Sequence, residues 1–325
     1  MKLYPLKFQP ILKKIIWGGD EIVKFKNLEK KEAEVGESWE ISAVEDNVSV
    51  IKNGSFANTP LDILIDKTRD KLVGKKIYDK FGNKFPLLIK FIDAHDDLSI
   101  QVHPDDKLAK KRHNSFGKTE MWYIVKAEPG ASIYSGFKKD ITPEEYVERI
   151  ANNTFTDTLE EHCGQEGDVC FMPAGRVHAI RRGCFVAEIQ QTSNITYRIY
   201  DYNRKDKEGN TRELHTDLAK DAIDYTVYES YKTDYESGLN KTNKLVSCEF
   251  FTTNLLHLDK PFKKDVSHLD SFIIYMCLDG TFDLEDNKQN KITVSRGETI
   301  LVPADTQQIV ITPTNKTKLL ETFVK

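Results

Sequence analysis

A chain of 325 residues is about twice the length of a common single domain, so two domains or one large one are expected and a small module is excluded. Hydrophobic residues make up 39% and charged residues 30%, with 17 Phe and 13 Tyr; such a chain buries a core and is not disordered. The net charge of −4, from 47 Lys and Arg against 51 Asp and Glu spread along the chain, asks for neither nucleic acid nor an anionic membrane surface.

The first residues, Met1-Lys2-Leu3-Tyr4-Pro5-Leu6-Lys7, lack the apolar stretch of about 7 to 15 residues that a secretory signal carries, so the cytoplasm is the expected compartment. A helix is expected to open at Thr59-Pro60-Leu61-Asp62, with Thr59 as cap and Leu61, Leu64 and Ile65 as its apolar stripe. Strands are expected at 85–92 and 98–102. In the second, alternation puts Ser99, Gln101 and His103 on one face and Leu98, Ile100 and Val102 on the other, and Pro104 ends it. A strand at 121–125 follows Gly117-Lys118-Thr119-Glu120, with Lys118, Glu120 and Trp122 sharing a face. After a strand at 132–134, Thr142-Pro143-Glu144-Glu145 opens a second helix with the spacing of a capping box. The strand at 169–172 runs into Pro173 and Gly175, a sharp turn that delivers His178 to the next strand. Strands at 185–190 and 195–200 come next, the latter placing Thr196, Arg198 and Tyr200 on one face. A short helix runs from about Thr216 to Ile223, and the polar stretch 231–244 reads as a linker. Strands at 272–278, 291–294 and 298–302 complete the pattern. Short strands with turn signals between them indicate a β-barrel or sandwich, and the helices decorate it.

The longest apolar run, 272–278, falls far short of the roughly 20 residues of a membrane-spanning helix. Five cysteines without a CxxC pair argue against a disulfide framework or a structural zinc knuckle, and read as small buried residues in a reducing compartment.

A weak internal repeat links the two halves. Gly167-Asp168-Val169-Cys170-Phe171-Met172-Pro173-Ala174 recurs as Gly297-Glu298-Thr299-Ile300-Leu301-Val302-Pro303-Ala304, a motif simple enough to arise by chance. Two copies of one barrel unit, the first lengthened by a helical insertion, account for both the pattern and the length. The division falls between a first domain at 1–235 and a second at 240–325.

Taken singly, a Gln-x-His on a strand is more often a satisfied polar pair than a pair of ligands, and a Glu beside a Lys is usually a solvated ion pair. Jointly, Gln101, His103, Glu120 and His178 offer an amide oxygen, two imidazoles and a carboxylate from three strands. That donor set suits one zinc ion in a site with room for a water, although iron, manganese or nickel accept the same ligands. In the second repeat Gln308 falls where the first has His178, and the C-terminal copy reads as structural. The remaining histidines, His95, His113, His162, His215, His257 and His268, lack partners at useful spacing.

The segment from Gly167 to His178 resembles the second cupin motif. Together with Trp17-Gly18-Gly19, Gly36-Glu37-Ser38-Trp39-Glu40-Ile41-Ser42, Phe85-Pro86-Leu87-Leu88-Ile89-Lys90, the segment 98–106 and Gly117 to Tyr123, it makes the chain similar to the short bacterial type I mannose-6-phosphate isomerases. The resemblance implies a mainly β fold of two cupin-like jelly-roll barrels with short helical insertions, the second barrel lacking metal ligands. It also implies a zinc-dependent interconversion of mannose 6-phosphate and fructose 6-phosphate. The family's metal positions fall on Gln101, His103, Glu120 and His178, its catalytic Arg on Arg198, and it points to Glu188 as well. Longer members carry a Tyr where this chain has Ile180, which bears on how the sugar is contacted there.

On that resemblance an aldose and a ketose exchange a proton between neighbouring carbons through an enediol. The metal would orient and polarise the substrate, and Arg198 would stabilise the developing negative charge. Lys118 and Arg204 are the expected cations for the phosphate, with Ser99 as a hydroxyl donor. The proton carrier stays open between Glu188 and a water on the metal. Two other readings remain: a cupin metalloenzyme of another type, such as an iron dioxygenase, and a non-catalytic sugar-binding cupin.

Overall fold

The computed structural model describes residues 1–29 and 34–325. Its N-terminal half holds two antiparallel sheets. In the six-stranded one, Val169–Met172, Glu120–Ala127, Cys184–Gln191, Leu87–Ala94, Val35–Ile41 and Ile11–Gly19 lie side by side in that order. The five-stranded one runs Leu159–Cys163, Ser132–Phe137, His178–Ile180, Ile100–Val102 and Tyr197–Tyr200. Ile92, Trp122, Cys170 and Val186 of the first sheet pack against Ile133 and Ile180 of the second, so the polar faces expected at 98–102 and 120–122 turn into the space between the sheets.

The C-terminal half repeats the plan with a sheet that includes Ile273–Asp279, Thr299–Val302, Thr252–Leu258 and Thr317–Phe323, faced by a four-stranded one. The fold is mostly β, as expected. The two units meet back to back through one apolar layer in which Phe91, Met121 and Ile189 pack with Leu255, Ile274 and Leu320. Burial of that layer, rather than a flexible tether, holds the halves together. The chain start contributes too, because Leu6–Lys7 pairs with Thr299–Val302 of the C-terminal sheet.

Local details depart from the sequence reading in instructive ways. The first expected helix spans Leu61–Thr68 with Pro60, not Thr59, at the cap position. The second spans Pro143–Ala151, and Thr142 accepts from the Glu145 amide at 3.2 Å as a cap should. Together with Thr216–Lys220 it covers the outer face of the five-stranded sheet, where Tyr146, Phe155 and Ala219 pack on Ile100, Val102 and Ile199. The 231–244 stretch is tied down instead of free: Tyr231 is buried, its hydroxyl donates to the Phe137 carbonyl at 2.9 Å, and Lys232 pairs with Asp168 at 2.6 Å. Aromatic anchors among polar residues gave that stretch its linker-like look.

Asp93, at the end of the Leu87–Ala94 strand, is 6% exposed and accepts from the Glu21 amide at 2.8 Å. Burial, with Glu21 and Asp20 adding repulsion, pushes its carboxyl up to about 6, against the help of the Glu21 amide and His95. A carboxyl raised on folding binds protons more tightly in the native state, so its contribution is fully present below about pH 4 and is lost as pH rises through 6. Asp93→Asn keeps an acceptor and removes the charge. The variant is expected to gain on the order of 1–3 kcal/mol at pH 7.5 and nothing at pH 4, read by thermal melts at both values.

Candidate metal centre and surrounding pocket

The turn through Pro173 and Gly175 positions one ligand and ties it to another. Gly175 has φ +92, a conformation that glycine adopts without strain, and its amide donates to the His103 carbonyl at 2.9 Å. His178 then pairs directly across from Gln101, while Glu120 opens the adjacent strand of the other sheet. One ligand atom each from His103, Glu120 and His178 lies within 4.8 Å of the others, and all three side chains are buried.

Their partners fix the imidazole faces. His103 Nδ1 meets the Ile195 carbonyl at 2.9 Å and His178 Nδ1 the Arg176 carbonyl at 2.8 Å. Each carbonyl calls for a proton on Nδ1, which leaves Nε2 of both rings with a lone pair directed at the same point. Glu120 Oε1 stands 3.3 Å from His178 Nε2, and Glu120 Oε2 stands 3.6 Å from His103 Nε2. Glu120 Oε1 is buried with no hydrogen-bond donor. Electron-pair donors that converge in a buried place, one of them unsatisfied, call for a cation, so the residues fit a metal. The Gln101 amide lies 3.4 Å from His178 Nε2, and a half-turn exchanges its nitrogen for its oxygen at that place. Lys118 contacts the group from the side, with Nζ 2.5 Å from Glu120 Oε2 and 2.9 Å from His103 Nε2.

Electrostatics follow from burial. It drives His178 down to about 3 and His103 well below its usual value, with Lys118 reinforcing both, so the rings are neutral and able to bind a metal. Burial, then Glu188, raises Glu120 to about 7. Burial would raise Glu188 too, but Lys90 and Lys118 outweigh it and hold Glu188 lowered and ionised. The Lys90 ammonium lies 3.0 Å from Glu188 Oε1, and the Trp122 indole donates to Glu188 Oε2 at 2.9 Å.

Lys90, Gln101, Lys118, Trp122 and Glu188 border a cavity of about 480 Å³ that opens between the edge strands Ile11–Gly19 and Tyr197–Tyr200, while His103, Glu120 and His178 lie behind that lining; the size suits a small ligand. Ser99, Gln101, Lys118, Glu188 and Arg198 all line it. Arg198 lies across from Gln101 in the strand register; its Nη1 donates to the Glu213 carbonyl at 2.8 Å, and its buried Nε has no acceptor. Arg204 is not in the lining: its guanidinium pairs with Asp201 at 2.6 Å and bonds the Asp97 carbonyl. The cation that faces the cavity from that loop is Arg212, which shares Asp201. Ile180 contributes an apolar wall.

Sequence reasoning passed over Lys90, Trp39, Lys13 and Arg212. For Lys90 a signal was present, since a lone lysine inside the buried run Leu87–Ala94 must carry a partner. The other three lie on strands or loops without a clear pattern.

The second unit keeps the frame of the site with other residues at its positions. Val302 faces Ile273 as Met172 faces Glu120, so an isoleucine stands at the carboxylate position. Gln308 pairs with Asp265 as His178 pairs with Gln101, which places Gln308 where the repeat expects it. Across the same strands, Asn254, Glu321 and Tyr275 align as Lys90, Glu188 and Trp122 do. Glu321 is satisfied by Tyr275, Asn254 and Lys264.

Comparison with known proteins adds independent findings. Residues 5–123 match the family described as phosphomannose isomerase type I, catalytic domain, and residues 241–318 match the mannose-6-phosphate isomerase cupin domain. The chain is 38% identical over 250 residues to a mannose-6-phosphate isomerase of Streptococcus mutans, covering 76% of this chain and 77% of that protein. A mannose-6-phosphate isomerase of Bacillus subtilis is 35% identical over 261 residues, 79% and 81% of the two chains. Among solved structures, the mannose 6-phosphate isomerase from Bacillus subtilis superposes with a TM-score of 0.88 at 28% identity, over 98% of this chain and 99% of the other.

Proposed function

The chain belongs to the type I phosphomannose isomerase family, and from that premise we propose that Gln101, His103, Glu120 and His178 hold one zinc ion beside a pocket in which mannose 6-phosphate and fructose 6-phosphate are interconverted. The observation that carries the reading is the buried convergence of two neutral imidazoles and one carboxylate, joined through Gln101 and Lys118 to a cavity rich in cations. Iron dioxygenase and non-catalytic readings find no support in the family match.

When bound, the zinc supplies Lewis-acid polarisation of the sugar oxygens. The chain's own residues do the rest. Arg198 offers its unpaired Nε–H beside Gln101, where negative charge develops in the enediol. We assign to Glu188, kept ionised by Lys90 and lining the cavity, the role of taking the proton from C2 and delivering one to C1. Lys118 and Ser99 direct hydrogen-bond donors at the substrate oxygens. Arg204 acts at one remove, by holding Asp201 and through it Arg212. We assign catalysis to 1–235 and a supporting role to 240–325, whose equivalent positions lack ligands. Five unpaired thiols suit the reducing cytoplasm.

The purified zinc-loaded protein is expected to form fructose 6-phosphate from mannose 6-phosphate in a coupled assay. Run in deuterated water, exchange of the carried proton with solvent during the enediol's lifetime places deuterium at C1 of the product, and Glu188→Gln is expected to lose turnover with the metal retained. No turnover with metal supplied would overturn the reading; unlabelled product together with full turnover of Glu188→Gln would overturn the proton-transfer route.

A further inference from the structure

Three of the cations around the cavity already have a carboxylate. Lys90 has Glu188 and Glu37, Lys118 has Glu120, and Arg212 has Asp201. Among the described residues, Lys13 and Arg198 line the cavity with no carboxylate in ion-pair contact. The two differ in place. Arg198 is the cross-strand partner of Gln101, beside the metal ligands, whereas Lys13 belongs to the edge strand Ile11–Gly19, four places along the sheet from the strand that carries Glu120.

We propose that Lys13 is the cation that receives the phosphate of the phosphosugar, at the end of the pocket away from the metal ligands. The proposal rests on the isomerase reading above and adds the residue that selects a phosphorylated substrate.

Lys13 is held for such a task. Its ammonium lies over the Trp39 ring at 4.8 Å and donates to Asn47 Oδ1, which leaves two of its three N–H groups for an incoming anion. Trp39 is itself fixed, because its indole donates to Glu37 Oε2 at 2.6 Å and the Lys90 ammonium lies 5.3 Å from its ring. Glu37, the carboxylate across from Lys13 in the strand register, is engaged by Trp39 and Lys90. The register breaks at Gly36 of the neighbouring strand, where a Cβ would meet the Trp17 ring at 2.7 Å, between the partners of Lys13 and Lys14, and both lysines border the cavity. The chemistry of the substrate matches this layout. In an aldose 6-phosphate the reacting carbons and the dianion are at opposite ends, so one cation is needed at each: Arg198 where the enediol forms and Lys13 where the phosphate rests.

The test compares wild type, Lys13→Met, Lys13→Gln and Lys13→Arg, zinc-loaded, by steady-state kinetics with mannose 6-phosphate and by competitive inhibition with inorganic phosphate. Lys13 is half-buried on an edge strand, so the variants are expected to fold, which circular dichroism checks. For Met and Gln, KM and the phosphate inhibition constant are expected to rise tenfold or more while kcat falls less than about threefold; Arg restores most of the loss. Wild-type activity with unchanged KM and inhibition constants in both neutral variants would overturn the assignment of Lys13, as would a loss confined to kcat. An inactive wild type would instead overturn the isomerase reading.

Discussion

Glu120→Gln is expected to abolish metal retention and to lower kcat/KM by about 10³ or more. Glu120 is the only carboxylate among the grouped ligands; it is fully buried, and one of its oxygens lacks any donor. Glutamine preserves the volume and keeps a carbonyl oxygen, so the fold should persist, but it takes away the negative charge that offsets a divalent ion. Removing an outer-shell partner already costs roughly 10–100-fold in metal affinity, and a ligand costs more. Lys118 would lose its ion pair as well, leaving a buried ammonium against His103. Metal content per chain, and the rise in melting temperature on adding zinc, report the binding defect separately from activity. A variant that retained stoichiometric metal and full turnover would remove Glu120 from the site.

Arg198→Ala is expected to lower kcat by about 10² to 10³ with the metal still bound, equivalent to roughly 3–4 kcal/mol of transition-state stabilisation. The guanidinium is anchored by the Glu213 carbonyl yet keeps a buried Nε–H with no acceptor, a donor prepared for charge that exists only during the reaction. Burial, with Arg212 nearby, lowers the Arg198 pKa, which shows how little the protein itself compensates this cation. Lysine at this position supplies charge without the planar fork, so Arg198→Lys should recover only part of the rate. Equal losses in kcat for the two variants would mean that charge without the planar fork contributes nothing, whereas full recovery by lysine would mean that charge alone suffices.

Much of the fold was legible because alternation and turn residues leave local marks. The strands at 169–172 and 299–302 and the capped helix at Thr142 were found almost to the residue. The strands Ile11–Gly19 and Thr252–Leu258 were not, since the first mixes lysines into an edge and the second places the polar Thr252, Thr253 and Asn254 in a buried setting. The grouping of His103, Glu120 and His178 was readable because metal chemistry restricts residue type and because the turn at Gly175 has a recognisable composition. The pairing of Arg204 with Asp201 could not be foreseen: whether an arginine on a loop faces a cavity or an aspartate depends on contacts that sequence spacing does not encode. Lys13 escaped notice for the same reason, its role depending on Trp39 and Asn47 from distant parts of the chain.

On the mechanism proposed, turnover depends on a metal held by His103, Glu120 and His178 beside Arg198. The most direct measurement is metal content alongside coupled mannose 6-phosphate isomerisation, before chelation, after it, and after zinc is returned. About one zinc per chain, loss of activity with the metal and recovery on its return are the predicted results; full isomerisation by protein shown to be free of metal would contradict the account.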